Sequence, residues 1–157
     1  MMNDSNRIFL QIHLDLILSK HKKEVVYYMK QVTAAILIEK GRVLIARRPC
    51  NDVLQYKWEF PGGKIEDGET PEECLERELM EEFAIQVKVG SYFTSSVYNY
   101  EHGKIELLAY FVRREAGNLI PYSHDAIEWA LPTELHGYDF APADIPIVEK
   151  LIREARR

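Results

Sequence analysis

The run from Gly63 to Ile85, GKIEDGETPEECLERELMEEFAI, constrains this chain most, because it spells a glycine-led turn followed by a capped amphipathic helix. Thr70, Pro71 and Glu73 stand in the order of an N-cap, a first-turn proline and a capping-box glutamate, so a helix is predicted to begin at Thr70. Leu75, Leu79 and Phe83 then recur at every fourth position and form an apolar stripe that has to dock against a sheet. Glu78, Glu81 and Glu82 stand at i, i+3 and i+4, so they are predicted to project as a cluster from a neighbouring face. Like charges at that spacing cost about 0.2–0.5 kcal/mol per pair on a bare helix, which a divalent cation would more than offset. Most glutamate clusters are solvated faces. This one stands with Gly63, Glu69 and Arg77, and Arg77 projects about 100° around the helix from Glu78.

Those residues carry a resemblance. Gly63, Glu69, Arg77, Glu78, Leu79, Glu81, Glu82 and Ile85 fit the Nudix box, G-x5-E-x7-R-E-U-x-E-E-x-G-U with U bulky and apolar; its late glycine is here Ala84. The resemblance implies an α/β fold, the Nudix α/β/α sandwich with a mixed β-sheet. It implies metal-assisted hydrolysis with Mg2+, or Mn2+ as a substitute, held by Glu78, Glu81, Glu82 and the Gly62 carbonyl. Arg77 would orient a catalytic glutamate. If the family's glycine ends the helix in a left-handed conformation, Ala84 costs about 1 kcal/mol there and touches stability rather than chemistry.

At 157 residues, with 46% apolar and 11% aromatic content, the chain suits one domain with a sizeable core. A formal charge of -5 argues against a nucleic-acid polymer as partner, since the phosphate-neutralising term is missing; free nucleotides remain open because metal ions bring positive charge. Cys50 and Cys74 lie far apart with no metal-ligand spacing, which fits a reducing, cytoplasmic setting, and Cys74 reads as a small helix-packing residue. The stretch 1–28 is interrupted by Gln11, His13 and Asp15, too polar for a spanning helix, and lacks the features of a signal peptide. It reads as an N-terminal extension or an over-extended start. The domain proper is expected over 29–157, as a monomer or homodimer with no membrane partner.

Strands are predicted over Val32–Glu39 and Arg42–Arg48 about a Lys40-Gly41 hairpin turn, and over Trp58–Phe60 leading into Pro61-Gly62-Gly63. A longer hairpin spans Ile85–Tyr100 and Lys104–Arg114, a short strand covers Glu128–Leu131, and a last helix runs from Asp144 to Ala155. Ile147, Val148, Leu151 and Ile152 form its buried face.

The flanks narrow the resemblance to MutT-type nucleoside triphosphate pyrophosphohydrolases. Through Trp58–Glu66 it implies that Lys64 sits near the phosphates and Phe60 by the nucleobase; Phe140–Leu151, FAPADIPIVEKL, is similar to the branch acting on CTP and modified dCTP. Arg47 and Arg48 are further phosphate or sugar candidates. Asp144 stands where an Asn can occupy the matching place in enzymes clearing 8-oxo-dGTP. Ionised, it offers acceptors for the cytosine amine, although it equally suits an N-cap. Ser123 occupies the loop position where many relatives supply an extra Glu, which leaves the general base open between Glu78, Glu81 and a water-mediated Asp125. The reading is hydrolysis of a nucleoside triphosphate to monophosphate and pyrophosphate, for cytosine or oxidised nucleotides, in nucleotide-pool sanitation. Its rivals are 8-oxo-dGTP, ADP-ribose or dinucleoside polyphosphate as substrate, the last suggested by Tyr98 and Tyr100, and a non-catalytic nucleotide-sensing module.

Overall fold

The computed structural model describes residues 29–157; the expectations for 1–28 lie outside the described residues. Among the described residues six strands form one mixed sheet. β1 (Lys30–Glu39) and β2 (Arg42–Arg47) make the expected hairpin, with Lys40 at φ 50 and Gly41 at φ 75, both in the left-handed region that a tight hairpin turn demands. β3 (Trp58–Glu59) and β6 (Ala126–Ala130) pair antiparallel with β2, β4 (Gln86–Tyr100) pairs antiparallel with β5 (Gly103–Ala116), and β1 joins the two groups by running parallel to β5. That parallel pairing extends from Lys30 opposite Ile105 to Leu37 opposite Val112.

Side-chain alternation makes the sandwich. Along β1, Ala34 and Ile36 face one apolar cluster while Ala35 and Leu37 face the other; along β2, Val43 and Ile45 divide from Leu44 and Ala46 in the same way. All eight are at most 1% exposed, so the sheet is covered on both faces at its centre. Helix α1 (Pro71–Phe83) covers one face with Leu75, Leu79 and Phe83, as its apolar stripe requires. Each of these fully buried side chains is worth about 1.5–3 kcal/mol. Helix α2 (Ile145–Ala155) covers the other with Ile147, Val148, Leu151 and Ile152. The capping box at Thr70 forms, with Thr70 Oγ1 accepting from Glu73 N and Glu73 Oε2 from Thr70 N. Ala84 terminates α1 at φ 56, ψ 31, the left-handed position where the family motif places glycine.

Some boundaries differ from expectation. β3 is only two residues long, β6 starts at Ala126 rather than Glu128, and a 3-10 turn at Pro132–Gly137 was not anticipated. That turn opens on Pro132 and buries only Leu135, too short a pattern for hydrophobic periodicity to register. Among the described residues no helix is long and apolar enough to cross a membrane.

Candidate active site

After β3 the chain leaves the edge of β2 and lies along β1: Ala35 N donates to Pro61 O at 2.6 Å, Thr33 N to Gly63 O at 2.8 Å, and Ile65 N to Gln31 O at 3.1 Å. Only glycine fits this crossing. A Cβ on Gly62 would lie 2.0 Å from Thr33 O, and one on Gly63 would lie 2.1 Å from the Glu78 carboxyl carbon. The missing side chain of Gly63 is therefore the space that Glu78 occupies. Thr33 and Cys74, both buried, tie the turn from beneath, with Cys74 Sγ 3.4 Å from Gly63 O and 3.3 Å from Thr33 Oγ1. Burial pushes the Cys74 thiol up to about 11, so it stays protonated and serves as the packing residue its sequence position suggested.

Above this floor, Arg77 gathers the charged face of α1. Its Nε and Nη2 take the two Glu69 oxygens at 2.7 and 2.9 Å, its Nη1 reaches Glu78 Oε1 at 2.8 Å, and Nη2 also caps Lys64 O at 3.1 Å. The Arg77 hydrogen bonds hold the Glu69 carboxyl down to about 2. The glutamates do not form the even cluster expected of them. Glu78 and Glu82 line a cavity of ≈ 790 Å³, whereas Glu81 lies outside its lining, 60% exposed, with Arg77 Nη1 at 3.4 Å. Helix geometry separates them: Glu82 follows Glu78 by four positions and stands nearly in line with it, whereas Glu81 follows by three and falls on the solvent side of that line. Glu82 has its carboxyl raised first by burial and then by repulsion from Glu78 and Glu59, opposed by His124 and Arg48.

Among the described residues no three His, Cys, Asp or Glu side chains are close enough together to hold a metal by themselves. Magnesium does not need three, since it commonly takes one or two carboxylates and completes its shell with water and phosphate oxygens. Glu78, Glu82 and the Gly62 carbonyl, which accepts no hydrogen bond among the described residues, form a hard oxygen set of that kind. Lys64 lines the same cavity.

Phe60 and Asp144 line it as well, and here the N-cap reading of Asp144 fails. The residue precedes α2 at φ -79, ψ -24 and its side chain caps nothing; instead Oδ1 accepts from Phe60 N at 2.9 Å. The residue is 5% exposed, and burial, reinforced by Glu59, raises its carboxyl pKa well above the ordinary aspartate value. Phe60 stacks at a tilt on Phe140, ring centres 5.5 Å apart.

The two arginines separate. Consecutive side chains at the end of a strand face opposite ways. Arg48 lines the cavity, while Arg47 is engaged by Asp125 at 2.8 and 3.3 Å and lies over the rings of Tyr56 and Trp58. Arg47 and Asp125 are thus paired with each other outside the cavity lining. Ser123 lines the cavity, as does Tyr100, but Tyr98 does not.

Sequence reasoning missed Glu59, Asp52 and the role of His124. Arg48 sends Nε and Nη2 to Asp52 at 2.8 and 2.7 Å and Nη1 to Glu59 Oε2, while Glu59 Oε1 meets His124 Nε2 at 2.8 Å. A lone charge inside the aromatic run Trp58-Glu59-Phe60 was the available signal for Glu59. Nothing local marks a partner 65 positions away.

A glycine crossing tied to β1 beneath a capped, carboxylate-bearing helix, on a sheet sandwiched between helices, is the architecture of a Nudix-type hydrolase. The NUDIX domain model matches residues 28–151, and the chain belongs to that family. It is 39% identical over 130 residues to the CTP pyrophosphohydrolase of Escherichia coli K12, covering 82% of this chain and 96% of that one. It is 37% identical over 128 residues to the 8-oxo-dGTP diphosphatase of the same organism, covering 80% and 99%. The solution structure of the E. coli ORF135 protein superposes with a TM-score of 0.74 at 38% identity, over 82% of this chain and 93% of that one. Nudix hydrolases generally use divalent metal ions.

Proposed function

We propose that the chain hydrolyses a nucleoside triphosphate to the monophosphate and pyrophosphate with magnesium, acting on cytosine nucleotides as a cytoplasmic nucleotide-pool enzyme. One observation carries this reading. The segment Phe60–Lys64 begins at the buried Asp144 carboxyl, passes Glu78 at Gly63 and ends at Lys64, and all of these groups line one cavity, which offers groups for a base and for phosphates. The likeness to a CTP pyrophosphohydrolase favours cytosine, and the likeness to an 8-oxo-dGTP diphosphatase keeps the oxidised purine as the second substrate to assay.

Within this reading, Glu78, Glu82 and the Gly62 carbonyl would hold the cation, which would neutralise charge on the diphosphate and make water more acidic. Arg77 fixes Glu78 through Oε1 and leaves Oε2 to accept a proton from the attacking water. Lys64 steadies the phosphates. Arg48 has a different task from the phosphate contact expected of it. Two carboxylates already surround it, leaving the Arg48–Asp52–Glu59 group with a net negative charge that repels phosphate. Its remaining N–H donors suit a neutral acceptor, on the sugar or base. Asp144 presents its second oxygen to the base.

The decisive experiment incubates the protein with a panel of CTP, dCTP, 8-oxo-dGTP, ADP-ribose and dinucleoside polyphosphate with magnesium, and separates pyrophosphate from orthophosphate. Pyrophosphate from CTP is the expected product. Turnover of ADP-ribose alone, or of no nucleotide, overturns the reading, the latter in favour of a sensing module.

A further inference from the structure

The imidazole of His124 is buried more completely than any other charged or titratable group of the Arg48 network, its side chain 4% exposed. Three backbone hydrogen bonds set it there. The loop carrying it donates from Ile120 N to Phe83 O at 3.0 Å and from Tyr122 N to Glu82 O at 2.8 Å, and Asp125 N reaches Arg47 O at 3.1 Å. The loop is thus strapped across the end of α1 and the end of β2. The ring lies nearly parallel to Phe83, centroids 5.2 Å apart and planes at 19°.

Its two nitrogens have unlike fates. Nε2 lies 2.8 Å from Glu59 Oε1, and an ionised carboxylate only accepts, so Nε2 carries the hydrogen and donates. Nδ1 is buried without a hydrogen-bond partner among the described residues. Leaving a buried nitrogen unpaired is unfavourable, and a phenyl ring would fill the same space against Phe83 without that defect. What the imidazole alone supplies is the hydrogen bond to Glu59.

Glu59 needs it. Its other oxygen receives Arg48 Nη1, so the carboxylate is held from both sides, and Arg48 in turn is locked between Glu59 and Asp52. We propose that His124 is a positioning residue, which through Glu59 fixes the Arg48 guanidinium at the cavity wall and so sets how tightly the nucleoside end of the substrate is held. This rests on the reading that the cavity takes a nucleotide. Without the Nε2 donor, Glu59 is held from the Arg48 side alone, and Arg48 loses the fixed placement of the second of the two carboxylates that define its plane.

The test compares His124→Phe, which keeps the ring stack and drops the donor, with His124→Gln, whose amide nitrogen reaches about as far as Nε2. Binding of CMP is measured by calorimetry in chelator, and kcat and KM for CTP are measured separately with magnesium. His124→Phe is expected to weaken CMP binding and raise KM by about tenfold, with kcat falling by less, the loss of one well-placed polar contact. His124→Gln is expected to recover most of both. Wild-type and Gln-like affinity in the Phe variant overturns the proposal. So does a loss in both variants that falls equally on kcat and KM and tracks a lowered melting temperature, since that is the mark of a packing role. If the wild type itself neither binds CMP nor cleaves CTP, the nucleotide reading fails first and the positioning role falls with it.

Discussion

Asp144 shows how far a single residue departs from what its place in the sequence suggests. Position before a helix argued for a cap, yet the side chain turns inward to Phe60 N, and burial raises its pKa. A carboxyl that keeps its proton donates, and one that has lost it only accepts. The ionised fraction grows as pH rises through the raised value, so the preference of the wild type for CTP over 8-oxo-dGTP is expected to increase with pH as that value is crossed. Asp144→Asn retains an acceptor for Phe60 N and cannot titrate. It is expected to shift the ratio of specificity constants by about tenfold at the alkaline end and to flatten its pH dependence, as kinetics with both substrates will report. Glu82→Gln is expected to reduce turnover at least about a hundredfold, because it removes a cation-facing oxygen charge. The sign for stability is opposite. A carboxyl raised by burial is costly when ionised at neutral pH, so metal-free Glu82→Gln should melt slightly above the wild type in calorimetry.

At the scale of elements, most of α1 could be read directly. Its cap, its stripe and its end at Ala84 follow from local rules, which act within a few residues. The glutamate face could not be read so fully, because the pairing of Arg77 with Glu69 spans a turn whose path depends on contacts with β1. For the same reason Arg47 and Arg48 looked equivalent until strand alternation sent one to each side, and Glu59 was silent until His124 arrived from a distant loop. Ala84→Gly is expected to stabilise the domain by about 1 kcal/mol, relieving a left-handed alanine at the cost of a more flexible unfolded chain. A raised urea midpoint with unchanged slope is the signature. The Glu69–Arg77 pair gives α1 an acid-sensitive anchor. Because Glu69 is held at about 2 when folded, its contribution is complete above the ordinary glutamate range and is lost as pH falls toward 2. Glu69→Gln should therefore be less stable than the wild type at neutral pH, and the gap between them should close in urea melts carried down through that window.

Taken whole, the molecule is legible in its layers because β1 and β2 are apolar on both faces, the pattern of a sheet covered twice. The strand order was not legible, since periodicity reports which face a residue takes and never which strand lies beside it. We expect the domain to be 29–157, and a chain beginning at Met29 to keep its fold and its turnover with CTP; loss of either, by circular dichroism or pyrophosphate release, would make 1–28 integral. The parallel join of β1 to β5 has a consequence for biogenesis. During synthesis β1 leaves the ribosome early, with Ala34 to Leu37 destined for burial on both faces, but the strand that flanks it is not complete until Ala116. On its β2 side, the hairpin register at Ile38 with Val43 and Glu39 with Arg42 is continued by the Pro61–Ile65 crossing, so it is the opposite edge, the whole length that β5 will pair, that waits open. Nascent chains arrested near Tyr100 should accordingly be cleaved readily by protease and retained by chaperones, whereas those arrested far enough beyond Ala116 for β5 to clear the exit tunnel should abruptly become resistant.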